Sequence, residues 1–421
     1  MPGHKRNAKF GIAGAEIDIT EVESFDNLHN PDGVLKDIEN RLATLYKSNR
    51  SFMMVNGSTG GILAAIHAVC KSGDTIIIAR NCHKSVFNAC YLLNLKVVYV
   101  EPEFDSECGY YTRVTQSALD EVTAANSEAK AVVITSPTYE GIISEVTSSL
   151  PIIVDAAHGA HLGIKPFPEY PQGDIVISSL HKTLPALTQT AVANIYNAEL
   201  TDEFKKYLDI FETSSPSYVL MNSVDKCLDY IEHSGDEFKS YYNRVKELHS
   251  LGLKWLYIKH SDDMSKIVVS TARASIEGTD LAEALRTRFN IEVEAVLSEH
   301  VILMTSVADT EKAFDTLENA LISIDRECDK KSFRKQFKKP PCANNIIEIT
   351  DYESGSFTDL KCATGKLANE FVYAYPPDIP LIVPGEIITA EMADYINDLI
   401  EAGVNVISDS GNLPQVLTKE G

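Results

Sequence analysis

Short apolar runs recur through the first half of the chain. "SFMMVNG" (51–57), "TIIIAR" (75–80), "KVVYVEP" (96–102), "KAVVITSP" (130–137), "PIIVDAA" (151–157) and "DIVISSL" (174–180) are rich in Val and Ile. They are nearly continuous rather than alternating, which predicts strands buried on both faces. Between several of them lie helical patterns, such as "GILAAIHAVC" (61–70) and "TQSALDEVTAAN" (115–126). Strands separated by helices predict an α/β fold with a mostly parallel sheet. Ligands of such sheets bind at the carboxyl ends of the strands.

The pattern then changes. Residues 217 to about 250 read as mainly helical. "SKIVVSTA" (265–272), "DLAEALRTRF" (280–289), "IEVEAV" (291–296) and "HVILMTSV" (300–307) read as a small α+β domain. A third, short region holds "NNIIEIT" (344–350), "FVYAYPPDIPLIVPGE" (371–386) and "AEMADYINDLIEAG" (390–403). Its prolines, Pro376, Pro377, Pro380 and Pro384, predict a rigid irregular loop. The expected division is a large domain over 1–254 with an N-terminal segment 1–50, an α+β domain over 255–329, and a linker with a C-terminal domain over 330–421.

Composition narrows the function without choosing it. At 421 residues the chain exceeds one compact core. No run approaches a membrane span, and "MPGHKRNAKF" has no apolar stretch of the secretory kind. The eight cysteines are scattered without a CxxC pair, which favours free thiols in a reducing, cytoplasmic setting and no metal site. A net charge of −22 argues against nucleic-acid binding. "KKSFRKQFKK" (330–339) departs from that balance, either as an anion-binding patch or as a solvated linker. Pro340 and Pro341 favour the linker.

Four stretches at predicted strand ends can carry chemistry. "NGSTGG" (56–61) is a Gly- and hydroxyl-rich turn opening a helix, a place where free amides face an anion. "NCHKS" (81–85) offers His83 as a flat ring, or simply a loop histidine beside a cap at Ser85. "IIVDAAHGAH" (152–161) ends an apolar strand in Asp155, with His158 three residues on. "DIVISSLHKTLP" (174–185) delivers Lys182 to a buried strand end, where an ammonium needs a use or a partner. An anion nest, a strand-end Asp, a flanking His and a strand-end Lys together describe a pyridoxal phosphate site.

These motifs have a family likeness. "MPGHKR" (1–6), "VNGSTGG" (55–61), "RNCHKSVFNA" (80–89), "VDAAHGAHLG" (154–163), "SSLHKTLPALTQTA" (178–191), "TSSPSYVLMNS" (213–223) and "YAYPPDIPLIVPGE" (373–386) follow one another in family order. The chain resembles the Orn/Lys/Arg decarboxylases, bacterial fold-type I pyridoxal phosphate enzymes. The resemblance implies a fold-type I transferase-like large domain. It implies that Lys182 holds the cofactor covalently, Asp155 pairs with the ring nitrogen, His83 stacks on the ring and His158 lies near its phenolic oxygen. Ser58, Thr59 and Gly60 would hold the phosphate, helped by Ser179 and His181. Ser214 and Ser215 would approach from the neighbouring subunit of a homodimer. Two departures stand out: Asp378 replaces the usual glycine of the YPPGIP loop, and family members usually carry a helical segment before "PGHK".

The activity so implied is decarboxylation of a basic amino acid, lysine, arginine or ornithine, to its amine, a polyamine-forming reaction. Such a substrate ends in a cation, and the C-terminal loop offers Asp378 and Glu386 as acceptors. The same cofactor also supports aldolase and aminotransferase chemistry, and a non-catalytic paralogue is a third reading. Retention of Lys182, Asp155 and His83 disfavours the last.

Overall fold

The computed structural model describes residues 2–22, 25–333, 336–341, 347–349, 355–374, 379–401 and 403–419. The first nine strands are β1 (Arg50–Met54), β2 (Thr75–Ala79), β3 (Lys96–Val100), β4 (Phe104–Asp105), β5 (Tyr110–Tyr111), β6 (Val132–Thr135), β7 (Ile152–Asp155), β8 (Ile175–Ser179) and β9 (Ala191–Ile195). Apart from the β4–β5 hairpin they form one sheet in the order β1-β9-β8-β7-β6-β2-β3. β8, β7, β6, β2 and β3 run parallel, as the unbroken apolar runs predict. Ile76, Ile77 and Ile78 have no exposed surface, because helices cover both faces. β9 is antiparallel to both neighbours, so β1 again points the same way as β8. β9 is absent from the strands read out of the sequence.

Of helices α1 (Val34–Tyr46), α2 (Gly57–Val69), α3 (Lys84–Leu92) and α4 (Gln116–Ala125), α2 and α4 fall on the predicted helical patterns. α4 begins where expected, because the Thr115 side chain accepts from the Ala118 amide. The α+β region is a four-stranded antiparallel sheet in the order β10-β11-β13-β12. Its strands are β10 (Tyr257–Ile258), β11 (Lys266–Ser270), β12 (Ala295–Leu297) and β13 (His300–Met304). Residues 291–294, expected as strand, lie outside β12.

The third region departs from expectation in two ways. Ile347–Glu348, here β14, pairs antiparallel with β3 and becomes the eighth strand of the main sheet. A partner hundreds of residues away cannot be read from local pattern. Pro380 lies inside a strand, Ile379–Ile382. That strand is the edge of a three-stranded sheet and its register slips by a bulge, so a missing N–H is tolerated there. The irregular part of the prediction, residues 375–378, lies outside the described residues. In the basic linker Lys330, Ser332, Phe333, Gln336 and Lys338 are exposed, as a solvated linker requires, while Lys331 meets Glu299 at 2.7 Å and Glu277 at 3.0 Å and Lys339 pairs with Glu101.

Candidate active site

The parallel strands all end on one side, and their ends wall a cavity of about 410 Å³. After β1 the chain turns through Asn56 and Gly57 into α2. Gly57 has φ +70°, a conformation that suits glycine, and its amide donates to the Gln189 carbonyl at 2.8 Å. No side chain caps this helix start. Asn56, Gly57, Ser58 and Thr59 line the cavity, so the open amides and the positive end of the helix face it. Gly60 lies one position further along and is buried against the Asn56 Cβ rather than lining the cavity. The Ser179 hydroxyl donates to the Ser58 oxygen at 3.0 Å and joins the end of β8 to this turn.

β2 delivers Asn81 and His83. His83 is itself the cap of α3, its Nδ1 accepting from the Ser85 amide at 3.1 Å, whereas the sequence suggested a cap at Ser85. β7 ends in Asp155, which is 4% exposed and flanked in register by Thr135 and Ile177. One carboxylate oxygen accepts from the Ala157 amide at 3.1 Å. β8 runs into a single turn, Leu180–Thr183, that carries His181 and Lys182. The His181 Nδ1 donates to the Thr190 carbonyl at 2.9 Å, and burial lowers its pKa.

Lys182 Nζ lies 2.9 Å from His158 Nε2. Burial first, then the charges of Lys182 and Lys266, hold the His158 pKa well below the usual imidazole value. The ring is therefore neutral, accepting at Nε2 and carrying its proton on Nδ1. Behind it, the fully buried Lys266 donates to the His158 carbonyl at 3.0 Å and to Asp263 at 2.8 Å. Asp263 also meets His161 Nε2 at 2.9 Å. Burial pushes the Asp263 pKa up, but His161 and Lys266 outweigh it and hold the carboxyl far below its ordinary value. This buried cluster locks the backbone that presents His158.

Thus Ser58, Thr59, His83, Asp155, His158, Ser179, His181 and Lys182 share one cavity wall. Ser214 and Ser215 are exposed and do not line it. Asp378 lies outside the described residues. Glu386 is not brought to the cavity. It is 1% exposed, accepts from the Tyr99 hydroxyl at 2.9 Å and the Val383 amide at 2.8 Å, and lies 4.0 Å from the Arg80 guanidinium. Sequence reasoning missed the opposite wall: Phe104, Tyr110, Tyr111, Tyr139 and Glu140, with Leu381 and Tyr395 from the C-terminal region. The signal for Glu140 was weaker than that for Asp155, since Glu140 lies five residues past the end of β6 whereas Asp155 is the last residue of β7.

A mostly parallel sheet, interrupted by antiparallel β9 and edged by antiparallel β14, with a strand-end lysine, defines the fold-type I α/β class. The Sphingomonas wittichii serine palmitoyltransferase superposes with a TM-score of 0.53 at 17% identity, over 70% of this chain and 76% of that one. The lysine decarboxylase LdcF of Francisella novicida superposes with a TM-score of 0.77 at 16% identity, over 100% of this chain and 78% of that one. The family model described as Orn/Lys/Arg decarboxylase, major domain, matches residues 6–249, and that for the C-terminal domain matches 331–405. The chain belongs to the Orn/Lys/Arg decarboxylase family, a family of decarboxylating enzymes. It is 28% identical to the arginine decarboxylase of Bacillus subtilis, over 96% of this chain and 91% of that one. It is 32% identical to the uncharacterized protein YaaO of the same organism, over 93% and 87%.

Proposed function

We propose that the protein is a pyridoxal phosphate-dependent decarboxylase of a basic amino acid, lysine, arginine or ornithine. The observation that carries the proposal is the Lys182–His158 contact of 2.9 Å inside the strand-end cavity of a chain from this family. The cavity residues fit the cofactor. Asn81 Oδ1 and His158 Nδ1 are buried polar atoms with no hydrogen-bond partner among the described residues, at positions a polar ring ligand would satisfy. The α2 amides with Ser58 and Thr59 would hold its phosphate, Ser179 and His181 standing beside them. Asp155 would hold a proton on its ring nitrogen, His83 would pack on its face, and Lys182 would anchor it.

When bound, pyridoxal phosphate supplies a sink for the electron pair released as the carboxylate departs. The protein's own residues do the rest. The aromatic and aliphatic wall excludes water and strengthens every charge interaction inside. Asp155, buried at the end of β7 and held by the Ala157 amide, would meet the ring from a fixed position. Lys182 and neutral His158 hold and move the proton that must reach Cα once CO2 has left.

We read the chain as three domains, divided near 254 and 330, because each part carries a sheet of its own, although β14 of the third part crosses over to extend the main sheet. We infer a cytoplasmic homodimer in which Ser214 and Ser215 serve the partner's cavity. Their exposure on this subunit supports that reading, and a fully active monomer in light scattering would end it. The principal test is CO2 release from lysine, arginine and ornithine by the cofactor-loaded protein, with the amine products identified. Release from one of them is expected, and none from any would overturn the proposal.

A further inference from the structure

A substrate ending in a cation needs an acceptor away from water, and Glu386 is committed elsewhere. The cavity has another carboxylate. Glu140 sits in a tight turn closed by the Gly141 amide on the Thr138 carbonyl at 2.9 Å and the Thr138 amide on the Ile142 carbonyl at 2.8 Å. Ser261 Oγ donates to the Glu140 carbonyl at 2.8 Å. Gly141 has φ +83°, and a Cβ there would fall 2.2 Å from Ser261 Oγ, so glycine is required to close the turn on its neighbour. The Glu140 backbone is therefore rigidly placed. Its neighbour Tyr139 packs edge-on against the His158 ring at 4.6 Å between centroids. The turn thus lies one side chain away from the histidine that touches Lys182.

Glu140 is 7% exposed and lines the cavity. None of the ion pairs among the described residues includes it. The nearby cations are already engaged, Lys259 by Asp105 and Glu107, and Lys266 by Asp263. Burial pushes the Glu140 carboxyl up to about 7, against the pull of its own amide and the Thr138 hydroxyl. A carboxylate held in place, sealed from water and without a cation is costly unless a ligand brings one. Phe104, Tyr110 and Tyr111 line the same cavity. Lys259 Nζ lies 5.7 Å from the Tyr110 ring centroid and Lys339 Nζ 6.0 Å from that of Tyr111, which leaves Phe104 as the ring face for an incoming cation.

We propose that Glu140 accepts the distal cation of the substrate, the ammonium of lysine or ornithine or the guanidinium of arginine, with the Phe104 ring closing the cage on it. The inference rests on the decarboxylase reading above and names the residue that selects basic side chains. Glu140 would bind and would take no part in bond cleavage.

The test is calorimetric titration of the cofactor-loaded protein with 1,5-diaminopentane, 4-guanidinobutylamine and 1-aminopentane. The last lacks the distal cation. Glu140→Gln is expected to weaken the first two by about 30-fold or more, and to leave 1-aminopentane within about twofold. Undiminished preference for the dications in Glu140→Gln would overturn the proposal. Should that variant fail to melt cooperatively, Phe104→Leu keeps the cavity apolar while removing a ring face. A loss of preference of about threefold then supports the cage, and none overturns it. CO2 release by the wild type separates the two levels. A wild type that decarboxylates basic amino acids while Glu140→Gln keeps full preference sinks only the role of Glu140. A wild type inert toward all three sinks the function itself.

Discussion

Glu140 and Glu386 are both almost sealed from solvent, yet they belong to regions built for different ends. Glu386 lies where the C-terminal sheet docks on the main sheet. It has a phenol, an amide and a guanidinium around it, and the Arg80 Nη1 beside it donates to the Pro380 carbonyl at 2.6 Å. Glu140 lies at the strand ends with only Thr138 and its own turn for support. Burial pushes both carboxyls upward in pKa, and at Glu386 the Arg80 charge, the Val383 amide and the Tyr99 hydroxyl oppose it. Burial alone therefore does not mark a binding carboxylate. What marks it is whether the protein has supplied its counter-ion.

The contrast between a working strand-end region and a supporting C-terminal region can be broken at four points. The largest effect is expected at Lys182. Lys182→Ala should lower CO2 release by on the order of 1000-fold or more. Borohydride treatment should fix cofactor to the Lys182 peptide in the wild type and to no peptide in the variant. Label on another lysine would move the chemistry elsewhere.

Asp155→Asn comes next, with about 100-fold lost from kcat, roughly 2.7 kcal/mol. Cofactor absorbance should persist, because the proposed phosphate site at the start of α2 is untouched by the change. A variant as fast as wild type would remove Asp155 from the working region.

Glu386→Ala should act on stability, leaving the Tyr99 hydroxyl and the Val383 amide short of an acceptor and Arg80 without its counter-ion, at about 2 kcal/mol, read as a lower Tm. KM should stay as it was. A raised KM with an unchanged Tm would return Glu386 to the substrate.

The smallest effect separates the two glutamates by pH. Burial pushes the Glu140 carboxyl up to about 7 in the folded state, against its ordinary value of 4.5 in the unfolded chain. The folded state then binds the extra proton, so stability falls as pH rises between those values. Asp105 and Tyr110 are the titratable neighbours, and the Asp105 charge works in the same upward direction. Glu140→Gln lacks this penalty. It should be more stable than wild type by roughly 1 kcal/mol at pH 8 and no more stable at pH 4. A gap that does not change with pH would mean Glu140 is already paired.

The strand-end residues were legible because each buried apolar run stops at a polar group whose burial demands a reason. Asp155 after "IIV" and Lys182 after "IVISSL" stand out on that logic alone. Glu140 follows "VVIT" by the same rule, but four residues of turn intervene and hide it. Glu386 was misplaced because proximity to a proline-rich loop says nothing about which way the loop faces. Its partners, Tyr99 and Arg80, are 287 and 306 positions away, and only the fold brings them together. β9 escaped because Ala191 and Asn194 dilute its apolar signal, although both are fully buried.

The two-residue strand β14 has a consequence for anyone who shortens the chain. It covers the outer edge of β3 by pairing at Lys96 and Val97. Ending the protein before Ile347 would strip that cover and leave a Val-rich strand with open donors and acceptors. Such a fragment keeps every strand that walls the cavity from the main sheet, yet it is expected to self-associate edge to edge. Sedimentation of a 1–341 fragment should show oligomers that the full-length chain does not form.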